Sequence, residues 1–476
     1  MHDTSPARAR IGLLPTGHSY YWDQFPRLKE MGLGMYRKLR ALLEPYGELI
    51  APELVDTEAK ARAAAELFRG AGIDILVIFP FGYTTSMNML PAVRGVEVPI
   101  RILNAHENRS YDYANADTTI YLHHEGVCCI PEFAGALTNI GKRFRVRTGP
   151  FDDRGLQRQL AADFRGAAAA RVFRELNVGL IGQVYTGMSD MPIDEHRLLR
   201  ATGSLLVRPE VEEIQAAYER VTESELEAMY REFREVFEVD ATVTNEHMRF
   251  SAQAAVAYER VITRHDIGAF GYYWWGEQEL VTQLRAQSGL AVSRLAALGR
   301  PGVTEGDVKT AMAMKILDLL GGGGMFVEFF AMDFDENFLL MGHDGPANIS
   351  VAEGRPRLTH LEVHHGKSGH GLGIDFDMRQ GPVTLVNLTQ VDDRPPGGGG
   401  VGESFKLIFT VGEIIPGPVL NIGNPNARVR VAKPLPEFID TWCQQGPSHH
   451  IALGVGDHGD ALETFAEAMR FPILRI

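Results

Sequence analysis

Ile73-Asp74-Ile75-Leu76-Val77-Ile78-Phe79-Pro80 decides the fold class of this chain. Its apolar residues lack the polar alternation of a half-exposed strand, so the segment reads as a strand covered on both faces, as in a parallel sheet. Working upstream, an alanine-rich helix is expected over 57–69, a short strand near Glu48-Leu49-Ile50 and a helix over 25–43. Before these, Ile11-Gly12-Leu13-Leu14-Pro15-Thr16-Gly17 reads as a first strand ending in a Gly/Pro loop. Downstream, Val98-Pro99-Ile100-Arg101-Ile102-Leu103-Asn104 is another strand. Alternating strands and helices predict a doubly wound α/β domain over 1–150, with ligands beyond the carboxyl ends of its strands.

The pattern then restarts. A helix over 156–176 leads into Val178-Gly179-Leu180-Ile181-Gly182 and the loop 187–192. A charged amphipathic helix is expected over 210–237, another helix over 251–265 and a strand at Ile267-Gly268-Ala269-Phe270-Gly271. Residues 151–322 therefore read as a second Rossmann-like α/β domain. After Gly321-Gly322-Gly323-Gly324, short apolar runs (325–330, 338–341, 358–364, 383–388, 405–411) alternate with Gly/Pro turns, so 323–476 reads as a mainly β domain. The stretch 392–402, with Pro395-Pro396 and four glycines, reads as a hairpin tip. It lacks the Gly-Lys-Ser/Thr ending and following helix of a phosphate loop.

Composition narrows the partners. With 476 residues the chain is too long for one core. A net charge of −14 disfavours nucleic acid and anionic membranes, which require basic surface, and suits a neutral or cationic small molecule. Cys128, Cys129 and Cys443 make no disulfide framework, which fits a reducing compartment. No run reaches the roughly 20 apolar residues of a membrane span, and the polar N-terminus has no signal-peptide core. These features together predict a cytoplasmic enzyme.

The chemistry concentrates between Glu305 and His343, with Ser448-His449-His450 as a distant partner. Glu305 is expected at the start of a helix over 305–320, where Thr304 and Asp307 resemble a capping box, so a cap is its ordinary reading. Glu328 lies within Met325-Phe326-Val327-Glu328-Phe329-Phe330 and on an alternating strand shares a face with Phe326 and Phe330. A glutamate there faces a cleft, a partner or a metal, unless that face of the strand is solvated. His343, after Phe338-Leu339-Leu340-Met341-Gly342, and His449-His450, before Ile451-Ala452-Leu453, sit at strand ends. Each alone is ordinarily structural; meeting in one cleft, the two acids and the histidines suit Mn²⁺ or a similar ion.

Further polar candidates surround this set. His360, His364, His365, His370 and Lys367 crowd the C-terminal half, and surface placement on a strand is the favoured reading for His360 and His370. In the N-terminal domain, His18 within Thr16-Gly17-His18-Ser19-Tyr20-Tyr21-Trp22, and His106 within Asn104-Ala105-His106-Glu107, follow predicted strands. His18, His106, His449 and Lys367 are the candidates for substrate contact, with loop solvation as the alternative. Trp274-Trp275 reads as core or subunit interface.

Thr304-Glu305-Gly306-Asp307-Val308-Lys309-Thr310-Ala311 resembles the Gly-Glu-Gly-Asp-Trp-Lys-Thr-Ala signature of the L-arabinose isomerases. Phe326-Val327-Glu328 falls where that family has its second glutamate, and Gly342-His343 and His449-His450 resemble its two histidine segments. The order and approximate separation hold over the C-terminal third, and the three-domain plan, shared with the more distant L-fucose isomerases, extends the similarity along the chain. The resemblance implies that Glu305, Glu328, His343 and His450 ligate Mn²⁺ (or Co²⁺ or Mg²⁺), with both glutamates also moving protons and His449 a neighbour. It implies a trimeric or hexameric homo-oligomer with active sites at subunit boundaries. Two departures stand out: Phe329-Phe330 replace Asp-Tyr, and the loop Pro15-Thr16-Gly17-His18 differs, both near where substrate is expected.

The expected reaction is aldose–ketose isomerisation through a cis-enediol, on an L-arabinose-like pentose or a related hexose or deoxy sugar. An epimerase or isomerase on a modified sugar or polyol would use the same site. A non-catalytic sugar-binding protein would need no paired glutamates and histidines. Metal-dependent hydrolysis would need an activated water in place of an open-chain sugar.

Overall fold

The computed structural model describes residues 7–276, 278–360, 371–392 and 403–476. These form two compact units: Ala7–Arg171 with Asp460–Ala468, and Val172–Gly459 with Met469–Ile476. No helix of the described residues is long and apolar enough to cross a membrane.

The first unit is built on β1 (Ala9–Thr16), β2 (Gly47–Ile50), β3 (Ile75–Pro80), β4 (Ile100–His106) and β5 (Arg145–Pro150). All pairings are parallel, in the order β2-β1-β3-β4-β5. The deciding run is β3, an inner strand buried at every position. Its alternate residues serve different layers. Ile75, Val77 and Phe79 pack with Leu39, Leu43, Leu160 and Phe164, whereas Leu76 and Ile78 pack with Phe68, Val93 and Phe133. Helices thus cover both faces, and the strand order is one of the common doubly wound arrangements.

A charged cluster is sealed inside this unit. Arg101 of β4 is fully buried, with Nε 2.8 Å from Asp163, Nη1 3.0 Å from Glu467 and Nη2 donating to Thr464 Oγ1 at 2.8 Å. Arg147 of β5 donates to both oxygens of Asp163, at 2.7 and 2.9 Å. Thr464 and Glu467 come from the helix Gly459–Met469, so a segment near the chain end completes the surroundings of β4. Burial opposes ionisation of Asp163, yet the Arg147 hydrogen bonds and the Arg101 charge outweigh it and hold the carboxyl below its ordinary range.

The second unit contains β6 (Asn177–Gly182), β7 (Leu206–Val207), β8 (Glu238–Val239), β9 (Ile267–Tyr273) and β10 (Gly302–Val303). Four of these make a parallel sheet in the order β10-β9-β6-β7, a second Rossmann-like element. The helix expected over 210–237 is two helices, Val211–Glu219 and Glu223–Val236. The break follows from Thr222, whose backbone N–H donates to Glu225 at 2.9 Å in a capping box that starts a new helix.

The remaining strands are β11 (Met325–Asp333), β12 (Phe338–Gly342), β13 (Arg357–His360), β14 (Leu372–Asp375), β15 (Gly381–Asp392), β16 (Glu403–Ile415), β17 (Asn426–Val431), β18 (Ile451–Val455) and β19 (Ile473–Arg475). Around the ring β15-β18-β11-β12-β17-β16 every neighbour is antiparallel, and β16 pairs back to β15. The ring is a closed barrel, which removes the exposed edges an open sheet would leave. β19 adds to the free stretch of β16, and β13, β14 and β8 form a small separate sheet. Asp392 pairs with Glu403, as a hairpin requires, while its Gly-rich tip lies outside the described residues.

Candidate metal centre

Strand register explains how residues far apart in sequence meet. Glu328 in β11 stands opposite Gly342, so His343 is the first residue past the end of β12. On the other side, Val327 stands opposite Ile451, so His450 is the residue just before β18. Both pairings are antiparallel, which brings Glu328, His343 and His450 to one rim of the barrel. Phe326, two residues before Glu328 and on the same strand face, supports both imidazoles, with ring centroids 4.0 Å from His343 and 4.5 Å from His450.

Glu305 arrives differently from the sequence expectation. It is not in a helix: Thr304–Gly306 form a short 3-10 turn, and the helix is Val308–Leu319. The cap is Asp307, whose carboxylate accepts from Thr310 N–H at 3.2 Å; Thr304 does not cap. Glu305 itself holds φ 63°, a left-handed conformation uncommon outside glycine. The strain is held by tertiary contacts. Tyr185 N–H donates to the Glu305 carbonyl at 2.9 Å, and Gly271 and Gly306 let the turn press against β9. A Cβ on Gly271 would lie 2.6 Å from the Gly306 carbonyl carbon, and one on Gly306 would lie 2.4 Å from the Gln183 oxygen. This turn aims the carboxylate at the histidines, with Oε2 3.6 Å from His450 Nε2 and Oε1 4.0 Å from His343 Nε2.

The imidazoles are oriented from behind. His450 Nδ1 is 3.0 Å from the fully buried Asp307 carboxylate, and His343 Nδ1 is 2.6 Å from the Asp344 carbonyl. Both partners are acceptors, so each Nδ1 carries a proton, and in the neutral ring each Nε2 then presents a lone pair. Those two Nε2 atoms face each other at 3.2 Å, with Glu305 Oε2 buried beside them and given no hydrogen-bond donor. Facing lone pairs next to a carboxylate repel unless a cation lies among them. Glu305, His343 and His450 each offer a ligand atom within 4.8 Å of the others, and so do Glu328, His449 and His450. The donor set, nitrogen and oxygen with outward-held Nδ1 groups, fits a divalent ion.

Asp307 is the residue that sequence reading assigned only to capping. Burial opposes its ionisation, yet the His450 hydrogen bond and charge prevail and lower its pKa. Its pattern, Asp307 with Thr310 three residues on, advertised a helix start but not a histidine 143 positions away. Asp307→Asn keeps a capping oxygen and weakens the acceptor behind His450. Affinity for a divalent ion should fall by roughly 10–100-fold, as read by calorimetric titration of metal-free protein with Mn²⁺ as the probe. Undiminished affinity would remove Asp307 from this role.

Glu328 is half-buried, and burial raises its pKa, helped by the nearby Glu305 and Asp344 charges and opposed by His450 and His449. His449 is fixed by Asp190, which accepts from its backbone N–H at 2.9 Å and contacts its Nδ1 at 2.6 Å. The acids and histidines open onto a cavity of about 470 Å³, walled by Tyr185, Met188, Tyr273, Trp275 and Arg285. Trp274 and Trp275 therefore separate: Trp274 is buried in the core, and Trp275 is exposed at the cavity.

The departures at Phe329-Phe330 turn out to concern packing. Phe329 meets Phe438 and Trp442 edge-on, Phe330 joins Phe338, Leu340 and Ile415, and neither lines the cavity. A register shift between Phe329 and Ala331 accompanies this change. His18 and His106 belong to the first unit. His18 is half-buried among Tyr20, Tyr21 and Tyr83. His106 stacks on His124 at 4.0 Å in a separate cavity of about 360 Å³ that His18 does not line. Burial, then the His124 and His123 charges, push the His106 pKa down to about 4. His360 stacks on His247. Lys367, with His364, His365 and His370, lies outside the described residues.

Residues 203–323 match the family model described as the L-arabinose isomerase central domain, and 323–471 the L-arabinose isomerase C-terminal domain. Among curated proteins, the chain is similar to the L-arabinose isomerase of Nocardioides sp., with 22% identity over 87% of this chain and 83% of that protein. It is similar to that of Acidothermus cellulolyticus, with 20% identity over 94% of this chain and 89% of the relative. That of Thermotoga neapolitana is 25% identical over 70% of this chain and 66% of its own length.

Proposed function

The chain belongs to the L-arabinose isomerase family as a divergent member, and from that premise we propose that it interconverts an aldose and a ketose through a cis-enediol. The observation that carries this reading is the facing pair of Nε2 atoms on His343 and His450, 3.2 Å apart, with Glu305 beside them and Glu328 at the same rim. A divalent ion such as Mn²⁺ held by Glu305, Glu328, His343 and His450 would supply Lewis-acid polarisation of the sugar carbonyl.

The protein's own groups do the rest. Glu328, which opens onto the cavity from the barrel rim, takes a proton from C2 and returns it to C1. Glu305 relays the hydroxyl proton between O1 and O2. Asp307 and Asp190 hold His450 and His449 in fixed orientation, and the aromatic walls exclude water and lie against the sugar carbons. Positioned acid–base groups of this kind contribute roughly 10²–10⁴-fold to rate.

The test strips metal with a chelator, adds back Mn²⁺, Co²⁺ or Mg²⁺, and screens pentoses, 6-deoxyhexoses and hexoses for ketose by chromatography. Ketose should appear only with metal restored. Tight metal binding without turnover of any sugar would sink the isomerase reading, and an epimer without ketose would replace it with epimerisation.

A further inference from the structure

We infer that the sugar handled here carries an anionic group, a carboxylate or phosphate, at the end remote from its carbonyl, and that Arg285 receives it. This rests on the isomerase reading and names the substrate class of the same site.

Arg285 is held by backbone and aromatic contacts. It lies in the helix Glu279–Ala286 and lines the cavity that contains Glu305, Glu328 and His343. Its guanidinium donates to the Trp274 carbonyl at 2.8 Å and lies over the Trp275 ring at 4.6 Å and the Tyr273 ring at 5.3 Å. Among the described residues no carboxylate joins it. Other arginines withdrawn from solvent in this unit are neutralised: half-buried Arg294 by Glu232 and Glu259, buried Arg428 by Glu336. A guanidinium has five donors; the Trp274 carbonyl and the Tyr273 hydroxyl engage part of this set, and the remaining N–H groups suit a charge-assisted contact with an anion.

Charge distribution points the same way. The reacting end of the cavity already holds the acids Glu305, Glu328 and Asp344, so an anionic group there would be repelled. Arg285 is the one lysine or arginine among the cavity's described lining residues, a local exception to the net charge of −14, which over the whole chain favours neutral or cationic partners. Tyr273 lines the cavity together with Arg285 and Glu305. A neutral polyol would leave the guanidinium's charge unanswered. A hexuronate or a pentose 5-phosphate would pair with it while its carbonyl end reaches the acids and histidines. Thr304 Oγ1, also on this wall and without a hydrogen-bond partner, remains for a sugar hydroxyl.

The test is calorimetric binding to metal-free and Mn²⁺-loaded full-length protein, using galacturonate, arabinose 5-phosphate and arabinose as probes. Both or one of the anionic sugars should bind at least roughly tenfold more tightly than arabinose, the scale of a charge-assisted hydrogen bond. The stronger of the two identifies carboxylate or phosphate. Arg285→Gln should erase that preference and Arg285→Lys should keep part of it, with melting temperatures reporting that both variants fold. Equal affinity for neutral and anionic sugars, or a preference that survives in Arg285→Gln, would overturn the inference. If arabinose is isomerised with no anionic preference, the inference fails and the isomerase reading stands. If an Arg285-dependent anionic preference appears without ketose from any probe, the isomerase reading fails instead.

Discussion

Glu328→Gln should lower ketose formation by roughly 10²–10⁴-fold, the worth of a positioned proton-transfer group, while leaving the protein folded. Glutamine keeps the volume and one acceptor oxygen, so Phe326 and the barrel rim are not disturbed. Stability of the metal-free protein should hold or rise, because the wild-type carboxylate is half-buried near Glu305 and Asp344. The sign is fixed by its raised folded pKa. Between the unfolded value, about 4.3, and the folded value, the native state binds more protons, so wild-type stability falls as pH rises through that window. The Gln variant lacks this slope. Turnover with Mn²⁺, together with denaturant melts of chelated protein at several pH values, checks both halves. Near-native turnover in a folded Glu328→Gln protein would exclude it as the proton-transfer group.

Asp163→Ala should destabilise the first unit by about 3–5 kcal/mol, the cost of breaking a buried pair and leaving its partners uncompensated. Here two guanidiniums, Arg101 and Arg147, lose their shared carboxylate, and Arg101 is fully buried. Asp163 also predicts acid sensitivity. Its folded pKa lies below the unfolded one, so its stabilisation is complete above the unfolded value, about 3.9, and is lost as pH falls through the folded value. The variant's melting temperature should therefore be low at neutral pH and respond less to acid than the wild type. A near-native midpoint in urea for Asp163→Ala would show that the cluster contributes orientation without net stability.

The parallel sheets were legible because burial on both faces writes itself into consecutive residues, as in Ile75–Pro80. The mainly β character of 323–476 was legible more weakly, as short apolar runs between turns, and the closure of those strands into a barrel was not. Helix limits went wrong where caps decide them. Thr222 with Glu225 divides one expected helix into two, and Asp307, not Glu305, begins another. Both signals were present as short motifs, but helical amphipathicity over 210–237 masked the first. The candidate ligands stood out as residue types in unusual settings, especially Glu328 among apolar neighbours. Their partners did not, because Asp190 and Asp307 act through contacts 259 and 143 positions away. Trp275 read as core or subunit interface, and nothing in the sequence singled out Arg285, until the cavity placed them on one wall.

The sequence by itself therefore determined the α/β and β architecture, through local periodicity, and a short set of acids and histidines capable of holding a metal. Tertiary structure alone decided that they converge. Register between β11, β12 and β18 sets Glu328, His343 and His450 at one rim, and a left-handed turn braced by Tyr185 and Gly271 supplies Glu305. Periodicity constrains which face a residue takes within its own strand; which strands become neighbours, and in what register, is fixed by packing between segments far apart in the chain.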